Sequence, residues 1–245
     1  MTTKPTETDK TPSSDRSRAV ASNDTVAAFL EAAKAAPRPV AMGDRGRLIF
    51  ALDATMSRQP TWDLACRLQA EMFQETVRIG GLDVQLVYFR GHSECRASRW
   101  MSDPDRLGAV MGRIDCRGGH TQVERVLSHA LAETRLRRVQ AVVFVGDAME
   151  EKLDDLAARA GELALLGVPL FVFQEGHDPV AEAAYRELAR MTRGAWCRFD
   201  PGAAHQLSAL LRAVAAYAGG GKAALQALAA NQNGGAKLLL DRMGG

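Results

Sequence analysis

The strongest constraint on the fold is a regular alternation of apolar runs and amphipathic stretches from about residue 47 to 220. "VQAVVFVGD" (139–147) is apolar almost without a break, as expected of a strand covered on both faces. "RLIFALD" (47–53), "DVQLVYFR" (83–90), "VPLFVFQE" (168–175) and "AWCRFD" (195–200) read as further strands. Helical spacing fills the intervals. Pro60 opens a helix over 60–79 with Leu64, Leu68, Met72 and Phe73 on one face, and Gly80-Gly81 closes it. Further helices are expected over 103–113, 121–136, 150–167, 178–194 and 202–220.

"SECRASRWM" (93–101) follows the preceding strand after only Arg90-Gly91-His92, a link too short for a parallel crossover, so it should pair antiparallel. The expected fold class is therefore α/β: a doubly wound, mostly parallel six-stranded sheet with one antiparallel edge strand and helices on both faces. Four segments are expected. Residues 1–23 are Thr-, Ser- and Pro-rich and should be disordered. Residues 24–44 hold a short helix and a linker, 45–218 the α/β domain, and 219–245 a Gly-rich tail with short helical segments.

Composition narrows the partners. The formal net charge is +2, and no basic stripe with interleaved aromatics occurs, so nucleic acid is not an expected ligand. The N-terminus lacks the apolar core of a signal peptide, and "LALLGVPLFVF" is too short to span a bilayer, so no membrane association is expected. The four cysteines form no CxxC pair, which fits reduced thiols in the cytoplasm.

In a doubly wound sheet, ligands bind beyond the carboxyl ends of the strands, where the strand order reverses. Three loops there carry oxygen-bearing side chains: "DATMS" after the first strand, "CRGGHT" before the helix at 121–136, and "VGDAMEE" after the strand at 139–147. Together they supply Asp53, Thr55, Ser57, Thr121 and Asp147. Two carboxylates and three hydroxyls suit a hard divalent cation, magnesium above all. Neutral hydroxyl ligands would leave the metal much of its charge, so it would seek one more carboxylate from a partner. Each residue also has a plainer reading as a cap or turn. Thr121 with Glu124 has the form of a capping box, and Glu150 and Glu151 read as first-turn acids of the next helix.

Asp53-Ala54-Thr55-Met56-Ser57 resembles the D-x-S-x-S motif of the metal-ion-dependent adhesion site (MIDAS) in von Willebrand factor A (VWA) domains. Thr121 after Gly118-Gly119-His120, and Asp147 after the fourth strand, match that family's other two signatures. The resemblance spans about residues 45–218 and is to the intracellular bacterial type. It implies Thr55, Ser57 and Thr121 as direct ligands of Mg2+ (or Mn2+/Ca2+), with Asp53 and Asp147 often acting through water. It also implies a non-catalytic protein-binding module whose partner presents an acidic residue, as in complexes with AAA+ ATPases, chelatases or tellurium-resistance systems. Thr55, Met56 and Arg58 depart from the usual pattern: Met56 replaces a frequent glycine, and Arg58 either repels a metal or attracts an acidic partner.

Two alternatives stand beside this. "GDAMEE" is similar to an acidic motif of haloacid dehalogenase-type phosphohydrolases, which use magnesium. Their D-x-D loop, however, would have Thr55 in place of its second aspartate, removing the general acid. The other alternative is a VWA scaffold with a degenerate site that binds no metal.

Overall fold

The computed structural model describes residues 45–58, 82–199, 204–231 and 233–243. The expected N-terminal tail and helix within 1–44, and the expected helix over 60–79, lie outside the described residues. The described strands are β1 (Gly46–Asp53), β2 (Leu82–Arg90), β3 (Glu94–Ala97), β4 (Ala141–Gly146), β5 (Leu170–Glu175) and β6 (Ala195–Phe199). The described helices are α1 (Pro104–Met111), α2 (Val123–Leu136), α3 (Leu153–Leu165), α4 (Pro179–Met191), α5 (Ala204–Ala230) and α6 (Gly234–Met243).

The six strands form one sheet in the order β3-β2-β1-β4-β5-β6. All neighbours pair parallel except β2 and β3, which are antiparallel. This is the mostly parallel α/β sheet with an antiparallel edge strand that the alternation predicts. The chain leaves β1 toward β2 on one side and later returns through β4 on the other, so strand order reverses between β1 and β4. The crevice at their carboxyl ends is the switch point.

Period-two alternation divides the core. From β1, Leu48, Phe50 and Leu52 pack with residues of α1, α5 and α6 on one face. Ile49 and Ala51 pack with residues of α2, α3 and α4 on the other. With both faces covered, all eight residues of β1 are buried, which is why its centre, Leu48 to Leu52, reads as an unbroken apolar run.

The edge strand is shorter than the sequence suggests. Leu86 N–H donates to the Ser98 hydroxyl at 3.0 Å, so a side chain takes over from the ladder. Trp100 turns aside and donates to Glu133 at 2.8 Å. Ser98 N–H still donates to Leu86 O at 2.8 Å, and Met101 rejoins β2 as an isolated bridge to Val84.

The C-terminal residues form helices. Gly221, at φ 67°, breaks α5, a conformation that only glycine adopts without strain. Beyond the break, Leu225, Ala236 and Leu239 are buried in the same core as Leu210 and Leu211. Asn233 opens α6 by accepting from Ala236 N–H at 3.0 Å.

Candidate metal centre

Asp53 ends β1 and is fully buried. Its Oδ1 accepts from Thr55 N–H at 2.7 Å, folding "DAT" into a tight turn. That turn sets the Thr55 and Ser57 hydroxyls 3.0 Å apart, and Arg58 N–H closes a single 3-10 turn on the Thr55 carbonyl at 3.0 Å. Neighbouring chain holds the loop from both sides. Ala54 donates to Phe89 at 2.9 Å and accepts from Arg117 at 3.0 Å. The three residues of the "DATMS" motif are thus brought together by local hydrogen bonds.

Thr121 is positioned differently from its capping-box reading. The N-cap of α2 is Gln122, which makes no side-chain cap bond. The first-turn N–H groups of Val123 and Glu124 are taken by the Glu151 carboxylate, at 2.6 and 2.9 Å. Glu124 instead binds Ser128 and Arg159, both at 2.9 Å. Thr121 exchanges two bonds with Glu150: its hydroxyl accepts from Glu150 N–H and its N–H donates to Glu150 Oε2, each at 3.0 Å. Glu150 and Glu151 therefore do not open α3, which starts at Leu153. They lie in the β4–α3 loop and tie it to the loop before α2. The sequence marked these two acids only as first-turn residues of α3; the structure makes them the ties between the two loops. The only signal for them was two carboxylates directly after "GDAM".

The second glycine of "CRGGHT" has a steric reason. A Cβ on Gly119 would stand 2.0 Å from the Gly91 carbonyl oxygen. That close approach lets His120 N–H reach Gly91 O at 3.2 Å. His120 also lies 3.2 Å from Glu150 through Nδ1 and edge-on to His92, with ring centroids 5.1 Å apart.

Asp147 follows β4 across the crevice from Asp53, and its charge bears on Asp53. Asp53 is pushed up to about 6, first by burial; the hydrogen bonds from Thr55 oppose the shift, Asp147 adds to it, and Arg58 opposes it. Asp53 Oδ2 and Asp147 Oδ1 are both buried and accept no hydrogen bond among the described residues. Below them, the Tyr185 hydroxyl donates to Ala148 O at 2.5 Å, and burial first, then both aspartates, raise the phenol well above its ordinary range.

Arg58 enters the same field. It is only 1% exposed and forms an ion pair with Glu175 at the end of β5. Burial lowers its guanidinium, opposed chiefly by Asp147 and then by Asp53. Arg58 is thus an internal cation and not a surface attractant for an acidic partner. Met56, in contrast, is 56% exposed.

Two buried carboxylate oxygens without donors, next to paired hydroxyls, are a donor set that fits a hard cation. Among the described residues no three His, Cys, Asp or Glu side chains cluster to hold a metal by themselves. A cation here would therefore depend on hydroxyl and water oxygens beside the two aspartates.

No protein-family model matches the sequence. No curated protein matches it either. Solved structures do. The SpRpn10 VWA domain is similar at 12% identity and a TM-score of 0.56, over 68% of this chain and 95% of that one. Proximal thread matrix protein 1 from the mussel byssus, with a zinc-occupied MIDAS motif, matches at 14% identity and a TM-score of 0.56, over 70% of this chain and 46% of that one. The pilus adhesin SpaC from Lactobacillus rhamnosus GG matches at 10% identity and a TM-score of 0.53, over 70% and 30%. The chain thus spans under half of the mussel protein and under a third of the adhesin. At these identities the likeness is one of fold: the described α/β sheet and its helices carry the fold of a VWA domain.

Proposed function

We propose that this chain is a protein-binding module whose docking depends on a divalent cation held by Asp53, Thr55, Ser57, Thr121 and Asp147. The observation that carries the reading is the pair of buried, donor-less oxygens, Asp53 Oδ2 and Asp147 Oδ1, at the sheet's switch point. Burying such oxygens unmatched is costly, and a cation is the partner that offsets it. The Thr55 and Ser57 hydroxyls would add neutral ligands, so the bound ion would retain enough charge to attract a carboxylate of the partner. The zinc-occupied MIDAS of the mussel protein supports divalent binding on this fold. Magnesium is the expected ion, with manganese or calcium as substitutes.

The partner is a protein presenting an acidic side chain, in an assembly of the AAA+ ATPase, chelatase or tellurium-resistance kind. The chain acts by binding, not by turnover, and in the cytoplasm. No helix among the described residues is long and apolar enough to cross a membrane.

One observation favours a second reading. Arg58 already places a positive charge in the field of both aspartates, which favours a scaffold that serves metal-free, with Arg58 as its fixed counter-charge. A melting experiment separates the two readings. Magnesium or manganese should raise the melting temperature of the parent, and Asp53→Ala should weaken the metal by about 100-fold or more. A parent indifferent to millimolar metal would leave only the metal-free scaffold. Phosphatase turnover abolished by Asp53→Asn would overturn both in favour of phosphoryl chemistry.

A further inference from the structure

At the amino end of β6, at the opposite end of the parallel strands from Asp53, a cavity of about 210 Å³ opens between α4, β6 and α6. Arg186, Arg190, Arg193 and Arg242 line it, Trp196 forms part of its wall, and no acidic residue does. Residues some 50 positions apart in sequence converge here, so the cluster is not a single helix face.

The wall is rigid. Trp196 is 7% exposed, and its indole N–H donates to Gln174 at 3.0 Å. The Arg186 guanidinium stacks 4.1 Å from the ring centroid, with Arg198 at 5.6 Å and Arg242 at 6.0 Å.

Charge there is not balanced. Glu182 serves both Arg186, at 2.7 Å, and Arg198. Glu187 serves Arg190, at 2.5 Å. Arg193 and Arg242 form no ion pair among the described residues. Five guanidinium groups thus meet two carboxylates. The carboxyl ends of α4 and α6 also point here, each worth about half a negative charge. That leaves an excess of about two positive charges beside a fixed aromatic wall.

Arg193 adds an independent mark. Helix α4 ends in a Schellman turn: Gly194 N–H bonds Ala189 O at 2.9 Å, and Arg193 N–H bonds Arg190 O at 3.1 Å. The left-handed residue of that turn is normally glycine. Here it is Arg193, at φ 57°, the one non-glycine residue with positive φ among the described residues. An arginine held against this backbone preference, with its side chain lining the cavity, points to a use for the charge.

We propose that this cavity binds a phosphoryl group. A phosphoryl dianion matches the charge excess, and arginine forks pair with its oxygens two at a time. The volume falls below the range for whole small-molecule ligands, so the site takes the phosphoryl group and its ester link, not an entire cofactor. The group comes either from a phosphorylated segment of a protein partner or from a free phosphate ester.

The test uses the full chain, titrated with inorganic phosphate, with a phosphoserine peptide and with its unphosphorylated twin, while following the Trp196 indole resonance. Phosphate and phosphopeptide should both shift it, the twin should not, and Arg193→Gly or Arg242→Ala should each weaken binding by about tenfold. Arg193→Gly keeps the turn, since glycine suits it, and a cooperative melt confirms that it folds. Binding of phosphate but not of the phosphopeptide removes the protein source and retains the phosphoryl site. A shift reproduced by chloride at equal ionic strength, an equal response to the twin, no shift with either phosphoryl probe, or full affinity in both variants overturns the proposal.

Discussion

At the carboxyl edge of the sheet, Asp53 and Asp147 each bury an oxygen with no donor among the described residues, whereas at the amino edge of β6, Arg193 and Arg242 line an open cavity without an acid. The first region buries its unmatched oxygens and is short of positive charge; the second is accessible and short of negative charge. Burial decides what each can tolerate. For a buried group such as Asp53 a mismatched charge costs several kcal/mol, so the chain supplies its own partial answer in Arg58. In the open cavity water screens the arginines, and an uncompensated excess costs little.

Replacing the internal cation should produce the largest effect. Arg58→Met leaves Glu175 and the two aspartates without their buried counter-charge, and should cost about 4 kcal/mol in the presence of chelator. Magnesium should then restore more stability than it adds to the parent. Urea unfolding with and without metal reads both quantities. A loss within error, with an unchanged metal response, would show that Arg58 plays no electrostatic part in the crevice.

Proton binding at Asp53 is next in size. Its carboxyl is raised to about 6 in the folded chain, against an ordinary value of 3.8. The folded state therefore holds this proton more tightly than the unfolded chain does. As the pH rises from about 4 to about 6, the unfolded chain ionises first, and folding loses roughly 2 to 3 kcal/mol from this group, with no further change above that window. Melting in chelator across that range should show the loss in the parent relative to Asp53→Asn. Saturating metal should abolish it. Parallel pH profiles for parent and variant would contradict the burial argument.

At the amino edge the changes should be small and of opposite sign. Arg193→Gly relieves a left-handed arginine and should stabilise the fold by about 0.5 to 1 kcal/mol, while weakening phosphate. A stability loss would mean that the Arg193 side chain supports the fold, and would blur the contrast between the two edges.

The candidate site was legible in the chain as far as its logic is local. "IFALD" announces a strand that ends in a carboxylate, and Thr55 and Ser57 follow at a spacing that one tight turn can gather. Thr121 and Asp147 are readable as loop residues after a glycine pair and after a strand. What spacing could not show was how the loops tie together. The capping box from Thr121 to Glu124 is locally sensible, but Glu151, 27 residues beyond Glu124, takes the helix N–H groups, and Glu124 turns to Arg159. Arg58 likewise reads as a surface charge in sequence and is buried only because β5 brings Glu175 beside it.

The sequence by itself determined the strand–helix alternation, the antiparallel edge strand and the oxygen-rich loop ends, because apolar periodicity, link length and turn chemistry act over a few residues. Tertiary structure alone decided which charges are buried and which stand together: the two donor-less aspartate oxygens, the internal Arg58 and the arginine cavity around Trp196. Desolvation and Coulomb forces depend on distance through the folded body, and that distance is set by how the sheet closes.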